Sequence, residues 1–451
     1  MAHSTLCYEL VHQARQRVSR LQNASSRQRA LNSIIDAVGC MFIGAASATK
    51  PFGLTEPSNN GIAVVIGRST RAGPSHAALL NGYHAHFLDF DDSLYPAQSH
   101  PTAVILPALL AAVSIKEVDA GVFFDALAVG FEFQGLLGEL CAQRFYDDGW
   151  WTTALLGAPA AALAVAHVLG YTAEVSAHAT ALAIASSFGM KGCFGSSAKA
   201  LGVGLSARAG FEAALLAQSG HTGPLGILED ARGPLALRNV NVASGPDYGR
   251  DSLFLDAPGP TYKLYPVCTA AHATIDALRQ IREDGVTPEE VENITVRVNK
   301  YVVSCLTFAR PNNREEAQFS LPFSVASVMA RGTVGLAELD GDFINSEQLR
   351  RWFSKISIVE DPSVGIGSTS EGSGQEAAVV EVYTPRGRHE KRVDHAKGQT
   401  LNPLSPQDLE EKYLSLVSAA FSSDVAKDTL TTLKCLIDST NVEKTLGTLV
   451  V

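Results

Sequence analysis

The chain has 451 residues, of which 46% are hydrophobic and 18% are charged, and its formal net charge is −10. This length exceeds the size at which a single hydrophobic core keeps growing, so we expect two domains. The acidic balance and the lack of a lysine- or arginine-rich run exclude a nucleic-acid-binding protein from the favoured classes.

The N-terminal segment, MAHSTLCYELVHQARQRVSRL, has apolar residues at helical spacing and no uninterrupted apolar stretch. It is therefore predicted as an ordinary first helix and not as a secretory signal, although Arg15, Arg17 and Arg20 leave a mitochondrial presequence as the alternative. Seven widely spaced cysteines without a C-x-x-C pair predict neither a disulfide framework nor a zinc knuckle. Reduced thiols favour a cytoplasmic location.

Helical periodicity dominates the chain to about residue 250. In SSRQRALNSIIDAVGCMFIGAA a serine can cap the helix and the apolar residues share one face. Further helices are predicted at residues 74–86, 101–114, 121–140, 158–169, 174–188 and 199–217. The most apolar segments are short, rich in alanine or interrupted by proline, so we predict no membrane span.

The pattern changes after about residue 264. ENITVRVNKYVV alternates apolar and polar residues, KISIVED is short and β-branched, and QEAAVVEVYTPRGRHEKRVDHA indicates two strands around a Pro385-Arg386-Gly387 turn. Helices are predicted in EAQFSLPFSVASVMARGTV and NSEQLRRWFSKI. The glycine-rich SVGIGSTSEGSGQEAA is predicted to be a flexible surface loop and not a phosphate site, because no strand–loop–helix context surrounds it.

From residue 397 the pattern becomes helical again. We therefore predict a mainly α protein in which residues 1–263 and 397–451 form one large helical domain that is discontinuous in sequence. Residues 264–396 are predicted to form a smaller α+β domain.

One candidate site lies in HAHFLDFDDSLYPAQSHPTAV, which carries three histidines and three aspartates between His84 and His100. Pro101 fits the first turn of a helix and places His100 at its N-cap. On a helix the rings of His84 and His86 diverge, which disfavours a metal site and favours a structural role for both. Helix-capping by Asp91 and Asp92 is the alternative to a catalytic role.

Two further stretches could carry chemistry. In FGMKGCFGSSAKALGVGLSARAG a glycine- and serine-rich turn enters a helix at Lys199, which aims backbone N–H groups and an ammonium at an anion; a solvated surface lysine is the alternative. In YKLYPVCTAAHATIDA, Lys263, Tyr265 and His272 surround a proline turn at the junction of the two domains, where pockets are often built. A packed structural histidine is the alternative for His272.

Together these stretches resemble the MmgE/PrpD family, whose members include 2-methylcitrate dehydratase, cis-aconitate decarboxylase and iminodisuccinate epimerase. The resemblance covers nearly the whole chain and runs in family order through AALLNGYHAHFLDFDDS, SHPTAVILPALLA, GSSAKALGVGLSARAG, HTGPLGILEDARG, YKLYPVCTAAHATIDA, EAQFSLPFSVA and KGQTLNPLSPQDLEEKY. It implies a large discontinuous helical domain, an α+β lid domain, a homodimer and an active site at the domain junction. It also implies neither a metal nor an organic cofactor, and proton transfer next to a carboxylate of a small polycarboxylic acid.

The resemblance also implies site residues. His100 matches the histidine of the family's H-P pair, Lys199 the lysine of T-K-P-x-H-x-G, and His272 the histidine after K-x-Y-P-x-C, while Ser93 follows the acidic motif where threonine is usual. The predicted catalytic residues are His100, Lys199, His272, Asp89 and Asp91. The predicted substrate-binding residues are Ser93, Lys263, Tyr265, Trp151 and Phe323.

Three departures from the family pattern bear on function. Trp151, in GWWTT, and Gly202, in AKALGVG, stand where related enzymes keep histidine, and Phe323 stands where tyrosine is common. An indole donates one hydrogen bond and cannot shuttle a proton. We therefore predict a dehydratase or decarboxylase acting on an altered, alkylated or less charged citrate- or aconitate-like acid. An epimerase of a dicarboxylate such as iminodisuccinate is one alternative, and a catalytically degenerate binding protein is another.

The expected mechanism needs a base and a positive environment for the charge that develops on the substrate. His100 or His272 would move the proton, and Asp89 or Asp91 would orient an imidazole. Lys199 and Lys263, with loop N–H groups, would clamp carboxylates in a locally positive pocket.

Overall fold

The structure is a computed structural model that describes residues 5–48, 61–240, 245–365 and 373–450. Its first part is helical: α1 Leu6–Leu21, α2 Ala24–Ser47, α3 Pro74–His86, α4 Pro101–Val113, α5 Ala120–Asp147, α6 Thr152–Val168, α7 Ala173–Ser186, α8 Ala198–Gln218 and α9 Pro234–Leu237. The helices predicted in this part are confirmed, with two different bounds. Helix α5 continues to Asp147. Helix α6 begins at Thr152, so Pro159 lies inside the helix and not at its start.

Glycines set the contact between α3 and α8. A Cβ on Gly82 would lie 2.9 Å from the Cα of Gly204, and a Cβ on Gly204 would lie 2.3 Å from the carbonyl oxygen of Leu79. Only residues without a side chain permit such an approach. The contact brings the first turn of α8, which carries Lys199, next to the C-terminal turn of α3, which carries His86.

The second part contains a sheet of strands β1 Asn293–Val298, β2 Ile356–Glu360, β3 Ala378–Thr384 and β4 Gly387–Val393, in the order β2-β1-β3-β4. Strand β1 pairs parallel with β2 and antiparallel with β3, and β3 pairs antiparallel with β4. The helices of this part are α10 His272–Glu283, α11 Lys300–Cys305, α12 Arg314–Ala317, α13 Leu321–Arg331, α14 Gly341–Ile344 and α15 Glu347–Arg350. The strands predicted from alternation are confirmed.

The two helices predicted within this part are shorter than expected. EAQFSLPF is interrupted between α12 and α13, because the Ser320 hydroxyl accepts the N–H of Phe323 and so caps a new helix with proline in its first turn. Similarly, Ser346 caps α15, which ends at Arg350, before a short 3-10 turn at Phe353–Lys355.

Two large hydrophobic cores, beside smaller clusters, are formed by the residues that the structure describes. The larger contains buried side chains from residues 7–255 and 413–449, and the second contains those from residues 265–396 together with Tyr146. The last helices, α16 Pro406–Ala420, α17 Ser423–Lys434 and α18 Val442–Leu446, therefore return to the first core. The mainly α class with a smaller α+β part is as predicted. We propose that the two cores mark two domains with the predicted boundaries.

Three helices, α2, α5 and α8, are long and apolar enough by length and composition to cross a membrane. Of their most apolar windows, 83% in α2 and α5 and 56% in α8 is buried inside the protein. These helices bury apolar side chains against other helices in the larger core, and this burial requires no lipid phase. The absence of a membrane span stays a prediction.

Candidate active site

A cavity lies where the helical and α+β parts meet. Its wall contains the predicted residues Asp89, Ser93, His100, Trp151, Lys199 and Lys263, together with Leu94, Tyr95, Gln98, Ser99, Tyr146, Phe194, Cys268, Thr269, Tyr301, Phe319 and Glu376. Convergent polar groups in a concave site between two cores are typical of an enzyme active site.

Asp89 is buried between two ammonium groups. Lys199 Nζ donates to Asp89 Oδ1 at 2.7 Å, and Lys263 Nζ lies 3.1 Å from Oδ2 and donates to the Asp89 carbonyl oxygen at 2.7 Å. Burial raises the pKa of Asp89, but the two lysines outweigh it and hold that pKa well below its ordinary value. Asp89 is therefore an anion, and its φ of 50° is a strained left-handed conformation that the lysines help to hold.

The surroundings of His100 show which of its two ring nitrogens carries the proton. It is the N-cap of α4, as predicted, and its Nδ1 lies 2.8 Å from the carbonyl oxygen of Asp92. A carbonyl only accepts, so Nδ1 carries the proton and Nε2 of the neutral ring holds a lone pair. Burial lowers the pKa of His100 well below its ordinary value, and the favourable charge of Asp91 does not reverse this. Neutral His100 can therefore accept a proton at Nε2.

His86 is buried and bonded through both ring nitrogens, and the structural role of both histidines of the HAH sequence stays a prediction. Its Nδ1 lies 2.7 Å from Asp91 Oδ1, and its Nε2 accepts from Lys199 Nζ at 2.5 Å. Asp91 therefore orients His86 and not His100, whose Nδ1 is 3.5 Å from Asp91 Oδ2. His84 is buried, and burial lowers its pKa to about 3, which fits the predicted structural role.

His86, Asp89, Asp91 and His100 each offer one ligand atom within 4.8 Å of the others, a spacing that could hold a metal ion. Two ammonium groups already contact Asp89, and Lys199 occupies Nε2 of His86. A divalent cation would have to displace these bonds and bring its own charge beside both lysines. We keep the prediction that the site works without a metal.

Carboxylates accompany both lysines of the expected positive pocket. Lys199 and Lys263 share one carboxylate, Asp89. Behind the wall Asp91 is held ionised, because His86 and His100 outweigh the effect of burial on its pKa. Among the described residues no arginine lines the cavity, and the acidic and basic groups of the wall itself are Asp89, Glu376, Lys199 and Lys263. A locally positive pocket stays a prediction.

The Trp151 indole forms part of the same wall. Its ring centroid lies 5.6 Å from that of His86 and 5.0 Å from the Lys199 ammonium. The Lys199 ammonium also lies 5.2 Å from the Phe194 ring and 5.1 Å from the Phe319 ring. The cation is thus covered by three aromatic faces, each of which attracts positive charge. Three aromatic rings therefore make this part of the wall apolar.

The structure places four predicted residues away from the cavity wall. His272 is buried with Nε2 3.2 Å from the Val267 carbonyl oxygen, and burial lowers its pKa to about 3. Tyr265 packs edge-on against that ring, and its hydroxyl donates to Asp276. Phe323 lies in the core of the α+β part, and Asp91 lies behind His86. These four could act on a ligand only through the residues in front of them.

A second polar cluster lies in the wall, around Glu376, and was not predicted from the sequence. Glu376 accepts hydrogen bonds from Thr269 Oγ1 at 2.6 Å, from the Tyr95 hydroxyl at 2.5 Å and from Gln399 Nε2 at 2.9 Å. Glu376 belongs to the glycine-rich segment predicted as a surface loop, of which residues 366–372 lie outside the described residues. The end of that segment is instead buried at the cavity, a placement that no local sequence signal indicated.

A neutral histidine beside a lysine–aspartate–lysine cluster in a cavity is the arrangement expected of an acid–base enzyme site. Comparison with known proteins agrees: residues 13–238 match the MmgE/PrpD N-terminal domain and residues 265–437 match the MmgE/PrpD C-terminal domain. The chain therefore belongs to the MmgE/PrpD family.

Individual relatives support an enzyme. The chain is similar to cis-aconitate decarboxylase from Mus musculus, with 25% identity over 91% of this chain and 86% of the relative, and to that from Homo sapiens, with 26% identity over 91% and 87%. A cis-aconitate decarboxylase from Aspergillus terreus is 27% identical over 67% of this chain and 66% of the relative.

Proposed function

We propose that the protein is a cofactor-independent lyase, a dehydratase or decarboxylase, that moves a proton next to a carboxylate of a small, aconitate-like carboxylic acid. The observation that carries the proposal is the neutral His100 ring in the cavity wall, whose Nε2 lies 3.9 Å from Oδ1 of Asp89, the carboxylate that Lys199 and Lys263 share. Relatives that are named cis-aconitate decarboxylases support the substrate class.

The lysines would bind and stabilise the reacting carboxylate. Each ammonium has three protons. Lys199 donates to His86 Nε2 and Asp89 Oδ1, and Lys263 donates to the Asp89 carbonyl oxygen, with Asp89 Oδ2 3.1 Å away. A remaining N–H on each lysine would donate to a substrate oxygen. When the neighbouring carbon loses a proton, negative charge moves onto that carboxylate, where two fixed ammonium groups stabilise it more than they stabilise the bound acid.

Because the His100 ring is neutral and has a lone pair on Nε2, the role that fits it is removal of a proton from the substrate. In dehydration, Nε2 would take the proton from carbon, and the hydroxyl on the next carbon would receive a proton from the Lys199 ammonium and leave as water. In decarboxylation, CO₂ leaves first and the carbanion needs a proton, which neutral His100 does not carry at Nε2. The Lys199 ammonium is then the donor, because it lies in the same wall.

Proton NMR in deuterium oxide tests the proposal with cis-aconitate, 2-methylcitrate and iminodisuccinate as substrates. Loss of water or CO₂, abolished in His100→Gln and in Lys199→Met and kept in the exposed control His12→Gln, supports a lyase. Deuterium at an α carbon with all carbons and oxygens retained makes the protein an epimerase. No exchange with any acid in the panel contradicts the proposal and favours a binding protein.

The family resemblance carries two further proposals. We propose a homodimer, for which light scattering after gel filtration should give twice the chain mass of 47.7 kDa. The proposed partner is the small carboxylic acid alone, without nucleic acid or membrane, in a cytoplasmic location.

A further inference from the structure

The cavity has a second wall with a charge of its own. Glu376 lines it together with Tyr95 and Thr269, and its side chain is buried. The ion pairs that the described residues form at the cavity join Lys199 and Lys263 to Asp89, and none of them includes Glu376. Its carboxyl group is therefore held by hydrogen bonds from neutral donors alone.

The direction of these hydrogen bonds can be read from one backbone amide. The N–H of Ala396 donates to Gln399 Oε1 at 2.9 Å, which turns the amide so that Nε2 donates to Glu376 Oε2 and to the Tyr95 hydroxyl oxygen, both at 2.9 Å. Because the Tyr95 oxygen accepts from Gln399, its own proton goes to Glu376 Oε2. Thus Oε2 accepts two hydrogen bonds, and the Thr269 hydroxyl can donate to Oε1.

This arrangement suits an ionised carboxylate. Burial raises the pKa of Glu376 above its ordinary value, and the hydrogen bonds from Thr269, Tyr95 and Gln399, which favour the anion, offset part of that rise. Three donors for four acceptor positions leave one lone-pair direction of the carboxylate for a ligand. With Asp89, an ionised Glu376 gives the described cavity wall two carboxylates against the ammonium groups of Lys199 and Lys263.

A wall whose two lysines are already matched by two carboxylates conflicts with an acid of three carboxylates. Lys199 and Lys263 can hold one or two carboxylate groups, but a further carboxylate beside Glu376 would be repelled by its like charge. A hydroxyl or ammonium group at that place would instead donate to the free lone pair of Glu376.

We propose that Glu376, positioned by Tyr95, Thr269 and Gln399, selects a carboxylic acid that carries a hydroxyl or ammonium donor where an aconitate-like acid carries a further carboxylate. This inference rests on the proposed function for the identity of the reaction, and it narrows the substrate class to hydroxy- or amino-substituted acids. Such a substrate is less charged than a tricarboxylate, in line with the loss of histidine at Trp151 and Gly202.

Three acids that differ in one substituent test the inference by calorimetry: tricarballylate, 3-hydroxyglutarate and 3-aminoglutarate. The wild-type protein should bind the hydroxy and amino acids at least ~10-fold more tightly than tricarballylate. Glu376→Gln should bind tricarballylate ~10-fold more tightly than the wild type does and should lose the preference for 3-aminoglutarate. Glu390→Gln, which removes a carboxylate from the exposed edge strand β4, is the matched control and should keep the wild-type order.

An unchanged order of the three dissociation constants in Glu376→Gln overturns the inference, as does tightest binding of tricarballylate by the wild type. Tyr95→Phe provides a second variant, because it removes one donor and keeps the charge. It should leave the preference for the amino acid in place. If binding follows Glu376 as expected but no α proton exchanges with deuterium oxide, the selection by Glu376 stands and the proposed lyase function fails.

Discussion

The indole of Trp151 fills the space beside the Cα of Gly202: a Cβ on Gly202 would lie 2.9 Å from Trp151 Cζ3. In the sequence these residues are two separate departures from family motifs. In the structure the two positions are in contact, and the Trp151 indole occupies the space that a side chain at position 202 would need. The same indole covers the Lys199 ammonium, so these two departures together change the surface that a substrate contacts.

This contact predicts that Gly202→Ala is tolerated only when residue 151 is smaller. In the wild-type background the added methyl group should cost about 1–3 kcal/mol in the free energy of unfolding, which outweighs the gain of about 1 kcal/mol in helix propensity. In a Trp151→His background the cost should disappear. Urea denaturation of both pairs measures it, with Gly341→Ala, where a Cβ meets nothing within 4 Å, as the control. Equal costs in both backgrounds would show that the indole is not the cause.

The assigned lone pair on His100 predicts the effect of His100→Gln on turnover. An amide cannot accept the proton, so kcat should fall by about 10²–10⁴-fold while KM changes little. Steady-state kinetics on whichever acid the NMR panel identifies measures both values. The exposed His12→Gln should match the wild type, and a His100→Gln enzyme with full kcat would assign the base elsewhere.

The ion pairs of Asp89 predict that Asp89→Asn is strongly destabilising. The substitution leaves two buried ammonium groups facing each other without their shared anion, and breaking a buried pair in this way costs about 3–5 kcal/mol. Asp394→Asn, at an exposed ion pair with Arg392, should leave the stability nearly unchanged. The comparison uses urea unfolding at neutral pH, and equal midpoints for the two variants would refute the charge balance around Asp89.

Burial of His84 predicts a loss of stability in acid. Folding lowers its pKa from 6.5 to about 3, so below pH 6.5 the unfolded chain binds one more proton than the folded chain at this residue. Its contribution is complete above pH 6.5 and falls by about 1.4 kcal/mol per pH unit as the pH decreases towards 3. The variant His84→Gln should show a shallower decline of the unfolding free energy between pH 6 and pH 4.5. The same slope in the variant and the wild type would contradict this assignment.

Local patterns were sufficient for most of the fold. Alternation in ENITVRV and around Pro385-Arg386-Gly387 predicted strands that the sheet contains, and Pro101 predicted the N-cap at His100. These features depend on residues adjacent in the chain, whose backbone preferences act before any tertiary contact. Family motifs likewise predicted Asp89, His100, Lys199 and Lys263, which the fold brings to one cavity.

Tertiary structure alone decided how these groups are charged and which others join them. The proton on His100 Nδ1 depends on the Asp92 carbonyl, the charge balance depends on two lysines from distant segments sharing Asp89, and Glu376 reaches the cavity through Tyr95 and Gln399. The sequence determined which helices and strands form and which chemical groups are present. Burial and through-space electrostatics, which vary with distance and not with position along the chain, decided the protonation of His100 and the charges that a substrate meets.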